Sequence, residues 1–238
     1  MNDRGDRSAA RAAVRLGPRV APVRDDSRLR RTIDLGVALA AMVLLSPLLA
    51  LIALLIKIDS PGPVLYGQER VGKDGHPFRI LKFRSMVTGA ERLGAAVAGR
   101  HDPRITRIGA LLRASKLDEL PQLANIVAGH MTLIGPRAEV PRYVRHYTDE
   151  ERRVLTVRPG LTGPGQLLFS RQQAAELDDV ADPEAEYVRR QLHVKLALDL
   201  DYLRRRLLRR DLAILGQTVA VMMKPAVSNG SFGEGKAK

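Results

Sequence analysis

The 238 residues include no Cys, which excludes disulfides, a thiolate zinc site and a cysteine nucleophile, and they are enough for one buried core with tails, a second full domain being a tight fit. A balance of 39 Lys and Arg against 26 Asp and Glu gives a formal charge of +13, which points to phosphorylated ligands, anionic lipid headgroups or nucleic acid. Only 4% of the residues are aromatic and none is Trp, which counts against a reader of single-stranded nucleic acid that stacks bases on rings.

Residues 1–27 form a basic arm, with Arg4, Arg7, Arg11, Arg15, Arg19 and Arg24 among Gly, Pro and Ala and no sustained apolar period, so disorder is expected. The arm lacks the apolar core and cleavage site of a secretory signal, and its acids argue against a transit peptide. The second unit, residues 28–58, carries the uncharged run Leu35 to Ile56. At roughly 22 residues this run is long enough to cross a bilayer core of ~30 Å. Ser46-Pro47 near its middle removes a backbone hydrogen bond and bends a helix. Both flanks are basic, so a hairpin that enters and leaves on one face would satisfy the positive-inside tendency at both ends. The alternative is a kinked spanning helix, and the physics of the residues leaves the two readings even.

Residues 59–224 form the third unit, the body of the chain, and residues 225–238 a Gly/Ser/Lys tail. The body opens on a turn, Asp59-Ser60-Pro61-Gly62-Pro63, and a β-like run at Val64-Leu65-Tyr66. Phe78, Ile80 and Leu81 alternate with Arg79, Lys82 and Arg84, predicting a small hairpin with a basic face. Lys82 and Arg84 could bind a diphosphate or simply be solvated. Thr88 to Arg100 reads as a loop or loosely held helix, and Arg104 to Arg113 as a helix with Ile105, Ile108, Leu111 and Leu112 at helical spacing.

The chain then reaches Ser115-Lys116-Leu117-Asp118-Glu119-Leu120-Pro121-Gln122. Asp118 is predicted to cap a helix from Glu119 to Ala128, with Pro121 in its first turn, Gly129 as its stop and Leu120, Leu123 and Val127 as its apolar stripe. Two acids at the positive end of a helix dipole lie where a phosphate or a metal–phosphate complex would also be favoured. On these eight residues alone, the plainer reading of a cap and a first-turn acid prevails. Met131 to Ile134 reads as a strand, and Gly135-Pro136 turns it, presetting Arg137 for a bidentate phosphate contact or for pairing with Glu139. Tyr187 to Leu208 places Leu192, Leu196, Leu200, Leu203 and Leu207 on one stripe, fitting a helix at a lipid interface or one in the core. Asp211 to Met223 repeats the apolar theme.

Arg30-Arg31 with Asp34, the Ser46-Pro47 break, Ile58 to Pro63, Lys82-Phe83-Arg84-Ser85-Met86, Arg104 to Gly109, Leu117 to Gln122, Gly135-Pro136-Arg137 and Arg158 to Gly163 occur in an order that resembles bacterial sugar transferases. More narrowly, the chain resembles a monotopic phosphoglycosyl transferase, from about Arg30 to Thr218. The resemblance implies an α+β, mainly helical fold with an N-terminal re-entrant membrane helix broken at Ser46-Pro47, interfacial amphipathic helices, and a small β-hairpin or sheet around the active site. It implies transfer of a sugar 1-phosphate from a UDP-sugar to undecaprenyl phosphate with release of UMP, initiating exopolysaccharide, O-antigen or glycoconjugate assembly. The setting implied is the cytoplasmic face of the bacterial inner membrane, with membrane lipids as partners and no nucleic acid.

By the same resemblance Asp118 is the nucleophile, and Glu119 assists with Mg²⁺ and the acceptor phosphate, so that the pair supplies the metal ligands. Lys82, Arg113, Arg137 and Arg158 match phosphate-binding positions, with Arg84 as a further candidate. Ala138 and Thr132 depart from the commoner pattern, as does Pro164 to Arg171, where a frequent Trp before Gln is missing. That region, with Gln166, Arg171 and Gln172, is the candidate for sugar choice. The competing reading is a membrane-tethered basic scaffold that binds nucleic acid or lipid without catalysis.

Overall fold

The computed structural model describes residues 28–93, 102–169 and 182–223. The expectations for the arm, for residues 94–100, for Arg171 and Gln172 and for the tail lie outside the described residues.

The apolar run forms two helices, α1 (Arg28–Leu44) and α2 (Ser46–Asp59), bent by 61° at Leu45. Pro47 has no N–H for the carbonyl of Val43, and the Ser46 hydroxyl donates to that carbonyl at 2.8 Å instead. The dipeptide therefore bends the chain without leaving the freed carbonyl unpaired. Among the described residues no single helix is long and apolar enough to cross a membrane, whereas the bent pair together has that length and composition. One side of the pair packs on the body: Ala38 joins the main core, and Ile52 and Ile56 join Phe83 and Leu112 in a second cluster. Val43 and Leu44 at the bend are 76% and 79% exposed.

The polar start of α1 ties it to the body. Arg31 donates to the carbonyls of Ile126 at 2.7 Å and Val127 at 3.1 Å, and the buried Asp34 accepts from Thr132 Oγ1 at 2.5 Å and from the Leu133 amide at 3.2 Å. Arg30 pairs with Asp211, which also accepts from the Tyr202 hydroxyl.

As the alternation predicts, β1 (Leu65–Val71) and β2 (Pro77–Phe83) form an antiparallel hairpin in the register Tyr66↔Lys82 and Gln68↔Ile80. Arg84, which follows the last strand residue, is buried. Its guanidinium donates to the carbonyls of Ser60 at 2.7 Å and Pro61 at 2.8 Å and to the Ser60 hydroxyl at 2.9 Å. The structure thus spends Arg84 on the C-terminal end of α2, where a cation also meets the negative end of the helix dipole, and not on a solvent-facing phosphate position.

Helix α3 (Arg107–Ser115) is capped by Thr106, whose hydroxyl accepts from the Gly109 amide, and Asp59 reaches across to accept from the Ile108 amide at 3.0 Å. The expected Glu119–Ala128 helix is shorter. A 3-10 turn at Leu117–Glu119 precedes α4 (Gln122–Val127), and Gly129 at φ 86° follows it as the stop. Pro121 occupies the N-cap position of α4, so Asp118 is not its cap. The reason is local: Leu120 and Pro121 already have helical dihedrals, which moves the helix start past the reach of the Asp118 carboxylate.

Strands β3 (Thr132–Ile134) and β4 (Gly160–Thr162) pair in parallel. Next to this pair Gly135 and Gly160 nearly touch, for a Cβ on Gly160 would lie 2.1 Å from the Gly135 nitrogen. Beyond β4 lie α5 (Pro164–Phe169), a π-helical turn at Tyr187–Leu192, α6 (His193–Arg204) and α7 (Leu208–Met223). Of the two settings open to the leucine stripe, α6 takes the core: Leu192, Leu196, Leu200 and Leu203 are buried, packed with Met131, Ile134 and Val157. Leu207 falls between the two helices and is 46% exposed, so the predicted continuous helix to Leu208 is broken before it.

Candidate active site

Four pieces of backbone converge on the acid turn. Helix α3 ends at Lys116, whose φ of 60° reverses the chain into Leu117–Glu119. For a side chain larger than glycine, that left-handed conformation costs roughly 1–2 kcal/mol. Leu117 and Leu120 pack on the cluster of Ile52, Ile56, Phe83 and Leu112, which seats the turn directly against α2. From the other side β2 is fastened to α4 by Asn125, whose amide donates to the Arg79 carbonyl at 2.8 Å and accepts from the Leu81 amide at 2.9 Å. Asn125 thus supplies the edge of β2 with the two bonds of a missing neighbouring strand. The next residue, Lys82, is thereby placed with its Nζ 2.6 Å from Glu119 Oε1.

Asp118 is 7% exposed, and its Oδ1 is buried without a hydrogen-bond partner. Burial pushes its carboxyl above the ordinary aspartate range, against the pull of Lys82, Lys116 and Arg113. Glu119 goes the other way. Burial would raise it too, but Lys82, Arg137 and Lys116 outweigh that and hold its carboxyl well below the usual range. Two adjacent acids are thus driven apart, one committed to an ion pair and one left without a partner at Oδ1. Four cations act on this pair of carboxylates, an excess that suits a further anion.

Of its two predicted settings, Arg137 takes up the pairing with Glu139. Although burial alone would lower it, Glu119 and Glu139 hold its guanidinium in the charged form. Its Nε lies 3.7 Å from Glu139 Oε1, and its side chain remains 32% exposed. Glu139 is itself anchored by the Tyr187 hydroxyl at 2.7 Å and by Arg70 at 3.5 Å. Behind the turn, the buried Asp199 accepts from the amides of Arg137 at 3.4 Å and Gly165 at 3.1 Å, holding together the loops that follow β3 and β4.

Of the residues expected at the site, the structure brings together Asp118, Glu119, Lys82, Arg113 and Arg137. Arg158 instead donates to the Gly129 carbonyl at 2.8 Å, beyond the C-terminal end of α4. Gln166 donates to the Gly160 carbonyl at 3.4 Å. Residues missed by the sequence reading are Lys116, Asn125 and Asp199. Asn125 carried a signal, a polar residue within the otherwise apolar stretch Leu123 to Val127.

A desolvated carboxylate with an unpartnered oxygen thus lies amid surplus cations, on a turn seated against the apolar bent helix pair. The family model described as bacterial sugar transferase matches residues 25–225, and the chain belongs to that family, which makes it a transferase. It is 39% identical over 207 residues to the UDP-glucose:undecaprenyl-phosphate glucose-1-phosphate transferase of Caulobacter vibrioides, covering 82% of this chain and 69% of that protein. It is 42% identical over 157 residues to an exopolysaccharide production protein of Rhizobium leguminosarum, covering 60% and 74%. With the UDP-N-acetylgalactosamine-undecaprenyl-phosphate N-acetylgalactosaminephosphotransferase of Aeromonas hydrophila it shares 37% over 198 residues, which is 82% of this chain but only 44% of the relative's length.

Proposed function

We propose that this chain transfers a sugar 1-phosphate from a UDP-sugar to undecaprenyl phosphate and releases UMP, through a covalent intermediate on Asp118. The buried, unpartnered Oδ1 of Asp118 carries the reading. In the first step that carboxylate attacks the phosphorus bearing the sugar, an Asp–O–P bond forms, and the bond to the bridging oxygen breaks to free UMP. In the second, an oxygen of undecaprenyl phosphate attacks the same phosphorus and expels the Asp118 carboxylate, giving the diphosphate-linked sugar. Lys82, Arg113 and Arg137 offset the charge that develops on the transferred and leaving phosphates.

Asp118 and Glu119 also fit the hard oxygen donors that Mg²⁺ takes, and an orphaned carboxylate oxygen is the kind of atom such an ion would satisfy. Among the described residues no group of three or more His, Cys, Asp or Glu gathers, so the diphosphate would supply the remaining oxygens. Bound there, Mg²⁺ would neutralise charge on the diphosphate. The glucose and N-acetylgalactosamine in the relatives' names leave the sugar open.

The test is UMP release from a panel of UDP-sugars with undecaprenyl phosphate, with and without Mg²⁺. Turnover of at least one sugar supports the proposal, and none from any UDP-sugar overturns it. A basic scaffold would instead bind oligonucleotide or liposomes without turnover.

The bent pair is proposed to enter and leave the cytoplasmic face of the inner membrane, because both its flanks are basic and its bend is its most exposed apolar part. The chain has no Cys, so single cysteines at the exposed Arg28 and Lys57 can be labelled cleanly. Both are expected to react only after cells are permeabilised. Labelling of either one from outside intact cells would refute the one-faced topology.

A further inference from the structure

Among the described residues only two other than glycine have positive φ, Asp74 at 55° and Lys116 at 60°. Asp74 lies in the tight turn of the hairpin, and a short carboxyl often offsets that conformation by bonding the nearby backbone. Lysine has no such compensation. A glycine or asparagine would join α3 to the acid turn with less strain, so the lysine needs another reason to be there. Its surroundings supply one. Lys116 acts on both Asp118 and Glu119, yet Glu119 Oε1 is taken by Lys82, and Arg137 lies against Glu139. Among the described residues Lys116 makes no ion pair or side-chain hydrogen bond.

We propose that Lys116 is a substrate-binding residue whose ammonium takes a phosphate oxygen, from either the nucleotide-sugar diphosphate or the lipid phosphate. This inference rests on the phosphoglycosyl transfer proposed above. The left-handed turn at Lys116 joins the end of α3 to the acid turn, so the cation and the two acids share one reversal of the chain.

Lys116→Gly removes strain and ammonium together, Lys116→Asn does so in a second residue type that tolerates the turn, and Lys116→Arg keeps the charge. For the first two, a Tm equal to or above wild type is expected together with a loss of roughly 10- to 100-fold in kcat/KM, carried mainly by KM, and Lys116→Arg should recover part of it. A slowed release of UMP without lipid acceptor assigns the contact to the diphosphate. Unchanged release with a raised KM for undecaprenyl phosphate assigns it to the lipid phosphate. Activity within twofold of wild type in both half-reactions overturns the proposal, as does a loss that tracks a lowered Tm in both neutral variants. Thermal shifts induced by UMP and by undecaprenyl phosphate without turnover separate this from the parent reading. Equal shifts in wild type and Lys116→Gly for both ligands overturn the Lys116 contact, whether or not the protein turns over a sugar.

Discussion

Enzyme incubated with UDP-sugar and Mg²⁺ but no lipid acceptor is expected to release about one UMP per active site and to retain a sugar phosphate on Asp118. Asp118→Asn should abolish both the burst and the adduct, with turnover falling on the order of 10⁴-fold or more, because an amide has no charge to bring to phosphorus. The variant should fold normally. The wild-type carboxylate is buried with one oxygen unsatisfied, so neutralising it removes a desolvation cost and no ion pair. Glu119→Gln should behave differently: the pair with Lys82 is lost, and a slowed burst with some adduct remains. Peptide mapping decides the roles. An adduct on Glu119 would reverse them, and UMP release only in the presence of undecaprenyl phosphate, with nothing trapped, would favour direct transfer in a ternary complex.

Lys82→Met is expected to produce the second large loss, about 10²- to 10³-fold in turnover, with a signature in pH that a simple loss of substrate binding lacks. Lys82 is the strongest influence opposing the burial that raises Asp118, and it also holds Glu119 down. Its removal therefore raises both carboxyls. The first step needs Asp118 ionised, so the acidic limb of the UMP burst should move to higher pH, and part of the loss should be recovered in alkaline buffer. Lys82→Arg should keep the limb near its wild-type position. A pH profile in Lys82→Met that superimposes on wild type after scaling would confine Lys82 to binding substrate.

Much of this site could be read from residue order because its acids and Lys82 sit in short, strongly patterned segments. The hairpin followed from alternation, and Lys82 lies within it. Arg84 was misread because it stands one residue past the strand, where alternation no longer applies and the partners are carbonyls of the turn after α2, distant in sequence. Asp118 was misread as a cap because Asp followed by Pro three residues on looks like a helix start, whereas Leu120 and Pro121 were already helical. Local pattern also could not choose between lipid and core for the leucine stripe of α6. That choice was made by β3 and by Val157, neither adjacent in sequence. The strain at Lys116 is a backbone property with no compositional mark, since lysine alone does not announce a positive φ.

The 61° bend at Leu45 also sets a depth. Its limbs of 17 and 14 residues measure ~25 and ~21 Å. With both ends at one face, as proposed, each limb slopes ~30° from the membrane plane and the apex reaches ~12 Å down, less than half of a ~30 Å hydrocarbon core. In that topology the wedge would occupy one leaflet and would not reach the far headgroups, so the thickness of the bilayer would not strain it. Because Leu117 and Leu120 rest on the cluster that contains Ile52 and Ile56, the acid turn is fixed to the second limb of that wedge, and in the proposed topology it would be held near the face at which that limb leaves the bilayer.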